Sequence, residues 1–373
     1  MRPDPDDQTR DDAPDGVRDD ATLAAAAAHD EHLFAPEVDM RWWQSKAMRR
    51  FRRNPLAITG VVLLIFYIGV ALFAPAITAP TIAERERGHT CARDLDLPRD
   101  SDEAIAALRN PFGVPFWRAI AAPPQSCLRI PRVSFSPIPQ PPQEGHPMGI
   151  ASGGYDIYYG VVWGARMAFY VGILVSAISF GIGIVVGGAA GFLGGWVDDV
   201  LMRLVDVVFA FPNLILAAIF VTIFGPSLTN SLIALAIVGW TNYARLFRGD
   251  ILRVRNLDYV DGARALGASK WRTFTRHVLP NSIGSLVIVA SLDIGAVVLV
   301  ASTLAFLGLG SEIGTTDWGQ MVSFARGYIQ GAPGEPFKYW YISWWPGIAI
   351  VVFVLAWNLL GDAYRDVFDP RDA

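Results

Sequence analysis

The residues 56–81, 167–197, 207–244 and 339–361 contain no charged side chain, and 278–311 contain only Asp293. About 20 apolar residues wound as a helix cross the hydrocarbon core of a bilayer, so each of these blocks predicts at least one membrane span. The blocks are apolar all round and not striped, which argues against helices buried on one face in a soluble domain. The 207–244 block is too long for one span, and Phe224, Gly225, Pro226 and Ser227 at its middle mark a turn. Six helices result, at about 56–77, 166–191, 201–223, 229–248, 283–309 and 344–361. The predicted fold class is an all-α polytopic membrane protein.

Composition agrees: 52 % of the 373 residues are apolar and 18 % are charged, where a soluble domain carries about 25 % charge. The net charge of −4 averages unlike parts. Residues 1–40 read as a disordered acidic tail, because alternating Asp, Arg, Pro and Gly cannot bury a core. Residues 41–77 hold a basic flank (Lys46, Arg49, Arg50, Arg52, Arg53) and the first helix. A cleaved signal would place its charges at the very start, so the first helix is expected to stay. The basic flank puts the N-terminus in the cytoplasm. Six crossings then leave 242–281 inside, with Arg245, Arg248, Arg253, Arg255, Arg264, Lys270, Arg272 and Arg276. The 310–343 loop, outside, has only Arg326 and Lys338. The C-terminal tail, 363–373, returns to the cytoplasm, giving a multi-pass protein of the cell membrane.

The segment 78–160 is the one long outer region. It is rich in Pro and holds both cysteines, Cys91 and Cys127. These either close a disulfide, as the oxidising exterior permits, or remain two thiols. The membrane core is expected over 161–362.

Enzymatic chemistry is not visible. No Gly-x-x-x-x-Gly-Lys-Ser/Thr loop exists to cradle phosphates, and the five histidines are scattered without metal spacing. No cofactor, metal or nucleic-acid partner is expected for this chain. Gly187, Gly188, Gly191, Gly194 and Gly195 lie at the end of an apolar helix, where small residues let helices approach closely. Asp293 is the ionisable residue inside an apolar block, where a charge costs at least about 2.5–3.5 kcal/mol on a lone helix. It either lines a translocation path or makes a helix–helix hydrogen bond.

The segment 251–281 is basic and patterned. A first short helix, about 258–266, is small and alanine-rich, with Gly267 as its left-handed cap. A second, about 269–278, starts at Ser269 and puts Trp271, Phe274 and Val278 on one face, and Pro280 is expected to stop it. The segment is either a basic loop held by anionic lipid headgroups or a docking element for a cytoplasmic partner.

Asp261, Gly262 and Ala263, then Gly267, then Leu279 and Pro280 twelve residues on, resemble the Glu-Ala-Ala loop of binding-protein-dependent ATP-binding-cassette (ABC) importer permeases. Asp261 stands where Glu is usual and Gly262 where Ala is usual; Gly weakens a helix by about 1 kcal/mol relative to Ala. "FRRNPLAITGVVLL", "GGWVDDVLMRLVDVVFAFPNLILA", "STLAFLGLGSEIGTTDWGQMV" and "WWPGIAIVVFVLAWNLLGDAYRDVFDPR" are similar to the dipeptide, oligopeptide and nickel branch, in its second-subunit type. The chain departs at Ala151 and Tyr155, where that branch favours an acid and an Arg. The resemblance implies the type I importer permease fold with a cytoplasmic coupling helix. It implies a heterodimer with a second permease, two ATP-binding subunits that hold ATP and Mg, and an extracytoplasmic solute-binding protein. It places the ATPase contact on Tyr259, Asp261, Gly262, Ala263, Arg264, Gly267 and Ala268, closed by His277, Leu279 and Pro280. Peptides are the implied substrate, with nickel complexes or another small solute of the branch as alternatives. A channel or secondary transporter without an ATPase would predict an inverted repeat or a line of intramembrane charges, and neither is visible.

Overall fold

The structure, a computed structural model, describes residues 51–78, 128–133 and 136–368. The expected tail at 1–40, both cysteines and most of the 78–160 loop lie outside the described residues. The described residues contain helices and isolated bridges but no strand. In chain order the helices are α1 (Pro55–Ile77), α2 (Ile157–Leu193), α3 (Gly195–Phe209), α4 (Asn213–Phe224), α5 (Leu228–Val254), α6 (Asp258–Ala265), α7 (Lys270–Thr273), α8 (Leu279–Phe306), α9 (Trp318–Ser323) and α10 (Tyr341–Phe368). Four helical stretches are long and apolar enough to cross a membrane, or five if α3 and α4 count as one broken span. The more polar α5, with 27 residues, is also long enough, about 40 Å. Six crossings are compatible with this set.

Four of the sequence expectations need correcting. The second helix starts at Ile157, nine residues before the expected 166, because the side chain of Asp156 accepts the Tyr159 N–H and caps it. Arg166 is therefore inside the helix and buried. Its charge is met by the Ala71 carbonyl at 2.5 Å, the Leu72 carbonyl at 3.2 Å and the Trp163 ring face at 4.7 Å. Ala71 has a carbonyl to offer because Pro75, four residues on, has no N–H to return to it.

The expected single helix at 201–223 is two helices meeting at 84°. Pro212 disfavours helical geometry at Phe211 before it, so α3 ends and α4 begins afresh. Pro280 does not stop a helix either. The chain runs from α7 through a π turn, Phe274–Val278, straight into α8, where Pro280 occupies the first turn and its missing N–H is tolerated. The last helix extends to Phe368, into the expected 363–373 tail.

The turn between α4 and α5 follows its sequence signal. Ser227 caps α5 by accepting the Asn230 N–H, and the Asn230 side chain donates to the carbonyls of Phe224 and Gly225 at 3.0 and 2.8 Å. Helix pairs approach through small residues. A methyl on Gly183 would stand 2.3 Å from Tyr243 Cβ, on Gly187 2.4 Å from the Ala244 carbonyl oxygen, and on Gly191 2.9 Å from Ile251 Cβ. These three glycines, four residues apart on α2, form the groove in which α5 lies. Around the outer half of the bundle, Tyr67, Phe169, Trp318 and Phe353 pack edge to face, with Tyr67 and Phe353 5.3 Å apart. The Tyr67 hydroxyl donates to the Ala349 carbonyl, which joins α1 to α10.

Residues 128–133 pair with the α8–α9 loop, Ile130 N–H to Gly314 O and Thr316 N–H to Leu128 O, each at 2.7 Å. Ala151 and Tyr155, where the chain departs from the branch pattern, are buried. Tyr155 stacks on Phe324 at 5.0 Å with Arg132 above it, so these positions serve internal packing.

Candidate functional site

The 251–281 segment emerges from the C-terminal end of α5 and re-enters the bundle as α8. Arg255 closes α5 by donating to the Gly191 carbonyl of α2 at 2.6 Å. After the turn, α6 has one fully buried side chain, Val260, set among Tyr243, Phe247, Ile251, Val254, Val278 and Leu286. That single apolar peg fixes the helix while its other faces stay open. Asp261 accepts from Arg264 at 2.8 Å one turn on, an exposed pair that adds little to stability. Gly262 has open space where a Cβ would go.

Gly267 ends α6 with φ 84°. Its N–H bonds the Arg264 carbonyl at 2.9 Å, and the Ala268 N–H bonds the Ala263 carbonyl at 3.1 Å. This is the Schellman pair of bonds, and it needs a left-handed residue at this position. Ser269 then caps α7 by accepting the Arg272 N–H. Trp271 and Phe274 adjoin as expected, with ring centroids 6.0 Å apart; Phe274 also packs on Phe192 at 4.7 Å and Val278 is buried, whereas Trp271, at the rim, is 73 % exposed. Leu266, at 91 %, and Tyr259, at 45 %, are also open, among the exposed Arg264, Lys270, Arg272 and Arg276. His277, Leu279 and Pro280 form the exit into α8; the His277 carbonyl accepts from Asn281 at 2.7 Å and from the Tyr259 hydroxyl at 3.4 Å. The sequence-named residues of this segment are thus brought together on one knob, and Asp293 is not among them.

Asp293 lies within the bundle, where it accepts the hydroxyl of the buried Tyr243 at 2.8 Å, joining α8 to α5. Among the described residues no group of three His, Cys, Asp or Glu could hold a metal. Sequence reasoning missed the links from α5 to α3, Arg248 to Asp198 and Arg245 to Asp206. The acids of "GGWVDDVLMRLVD" were their only signal, since ion pairs between elements are set by the packing.

Several apolar spans, close-packed through small residues and carrying one exposed basic and apolar knob, define a polytopic membrane protein. The chain belongs to the family described as binding-protein-dependent transport system inner membrane component, which it matches over 183–372. Residues 42–92 match the N-terminal transmembrane domain of oligopeptide transport permease C. The dipeptide transport system permease protein DppC of Alkalihalophilus pseudofirmus is 32 % identical over 326 residues, covering 87 % of this chain and 89 % of the relative. The probable D,D-dipeptide transport system permease protein DdpC of Escherichia coli is 38 % identical over 231 residues, 62 % of this chain and 75 % of its own. The glutathione transport system permease protein GsiD of Pectobacterium atrosepticum is 38 % identical over 230 residues, covering 62 % and 74 %. A chain of the MetNI methionine ABC transporter aligns over 53 % of this chain and 93 % of its own, at 18 % identity and a TM-score of 0.41, too loosely to bear on the site.

Proposed function

We propose that this chain is one of two homologous permease subunits of an ATP-driven importer for dipeptides or short oligopeptides. Two cytoplasmic ATP-binding subunits drive it and an extracytoplasmic solute-binding protein feeds it. Both of its termini lie in the cytoplasm. The substrate class rests on the relatives, whose names span dipeptide, D,D-dipeptide and glutathione transport. The observation that carries the ATPase contact is the knob itself. Leu266 and Trp271 stand exposed on a segment anchored by Val260 and ringed by basic side chains, the composition of a protein docking surface. An ATPase groove lined with carboxylates would pair with Arg264, Arg272 and Arg276. ATP binding would close the ATPase pair, and α6 would carry that movement into α5 and α8, which it joins.

Affinity purification of the tagged chain from membranes tests this reading. The ATP-binding pair should accompany it, and Leu266→Asp or Trp271→Asp should release the pair while the permease stays folded. A folded chain that purifies without any ATPase would refute the reading.

Asp293 serves as a helix lock in this scheme. Asp293→Asn keeps an oxygen for the Tyr243 hydroxyl and should leave uptake unchanged. Asp293→Leu leaves that hydroxyl buried without its acceptor and should cost about 1–3 kcal/mol of stability, read as a lower unfolding midpoint in detergent. Lost uptake in a stable Asp293→Asn protein would instead place Asp293 in the translocation path.

A further inference from the structure

The helix α3 is weakly embedded. Of its 15 residues only Val205 is buried, in a small cluster with Trp240 and Ala244 of α5 and Val186 of α2, and Trp196, Val200, Leu204 and Val207 lie open along one side. Its firm attachments are polar. Arg248 of α5 grips both carboxylate oxygens of Asp198, at 2.5 and 2.6 Å. Arg245 reaches Asp206 at 2.7 Å, and its guanidinium lies 4.0 Å over the Phe209 ring. Arg245 and Arg248 are one turn apart, yet they hold the end and the beginning of α3. A single turn of α5 therefore grips α3 near both of its ends.

Both ends of α3 are jointed. Gly194 and Gly195, with φ of 67° and 57°, separate it from α2, and the 84° break at Pro212 separates it from α4. In the other direction, α5 runs a further six residues past Arg248 and then turns into α6. The two-pronged guanidinium–carboxylate contact fixes distance and orientation together, which apolar helix packing alone does not. The Arg245 pair is half exposed on both sides and adds little to folding stability, so its effect is mainly on the angle of α3.

We propose that Arg245 and Arg248 are positioning residues of the transport cycle, which make α3 a lever driven by α5. Displacement of α6 moves the inner end of α5, the two arginines carry α3 with it, and α3 swings about its glycine and proline joints. The swing shifts α4 and the apolar side of α3, altering the inner side of the bundle. This rests on α6 being the ATPase contact.

The test uses the complete transporter, with its partner permease, ATPases and binding protein, in proteoliposomes. Solute imported and ATP hydrolysed are measured together. Arg248→Gln and Asp198→Asn should each lower the solute imported per ATP about tenfold, a typical coupling magnitude, with the ATPases still bound. The charge exchange R248D/D198R should restore the ratio, which a loss of mere bulk or stability would not allow. Single variants at the unmodified ratio, or an exchange no better than the singles, would overturn the proposal. If the single variants fail to assemble, D198C/R248C in a background lacking Cys91 and Cys127 decides, joined by a short reducible bis-methanethiosulfonate linker, because the span bridged by the arginine is too long for a direct disulfide. Import in the cross-linked complex and its loss on reduction support the lever; import only after reduction means that α3 and α5 must part, and the lever is wrong. An unmodified complex that holds no ATPase would remove the reading of α6 and the lever with it.

Discussion

Gly187→Leu should abolish the folded permease, with little monodisperse protein recoverable from membranes. The added Cβ would lie 2.4 Å from the Ala244 carbonyl oxygen and 3.0 Å from two further backbone atoms of that residue. Backbone in the middle of a helix cannot step aside as the end of a flexible side chain can. Relief requires α2 and α5 to separate, and this also undoes the contacts at Gly183 and Gly191. Overpacking of this kind costs about 1–3 kcal/mol even where some repacking is possible. Here the rest of the leucine adds to a clash that its first carbon has already made. Gly181→Leu is the control. It lies on the same helix with nothing within 4 Å of its Cβ, and should express and unfold like the unmodified chain. Equal yields of the two variants would mean that α2 and α5 are not held at this distance.

Gly267→Val should leave the bundle intact and disconnect it from the ATPases. No atom lies within 4 Å of a Cβ at this position, so the effect is one of backbone alone. At φ 84° a β-branched residue is strained by about 1–3 kcal/mol. Relaxing that strain breaks the bonds from Gly267 to Arg264 and from Ala268 to Ala263, and α6 turns away from α7. Affinity for the ATPase pair should fall about tenfold or more, at roughly 1.4 kcal/mol per tenfold, with an unchanged unfolding midpoint. Gly262→Ala separates this from general intolerance. It lies in the open on the interior of α6, where Ala is favoured by about 1 kcal/mol, and should keep or strengthen binding. Unchanged ATPase binding by Gly267→Val would show that the capped turn is not part of the contact.

The parts that were legible in the sequence follow from local chemistry. The charge-free blocks gave the spans, and Gly225 and Pro226 gave the turn between α4 and α5. The spacing from Asp261 through Gly267 to Pro280 gave the inner segment and the family likeness. Local rules also misjudged some positions. The charge-free block ends at Arg166, yet the helix continues through it, because a carbonyl left free by Pro75 on another helix accommodates the charge. Trp271 was grouped with Phe274 and Val278 by helical period. Its ring does lie beside Phe274, at 6.0 Å, but Phe274 faces Phe192 and Val278 is buried while Trp271 stays at the exposed rim.

By itself the sequence determined that this chain crosses the membrane several times and carries a basic, glycine-capped segment between two of its spans. Both depend on which residues are neighbours along the chain. Only the tertiary structure decided that Arg245 and Arg248 hold α3, that Asp293 meets Tyr243, and that Gly183, Gly187 and Gly191 seat α5. Each of these joins residues 39 or more positions apart in the chain. Helix period says which side a residue faces, but the partner on that side is set by how whole helices cross.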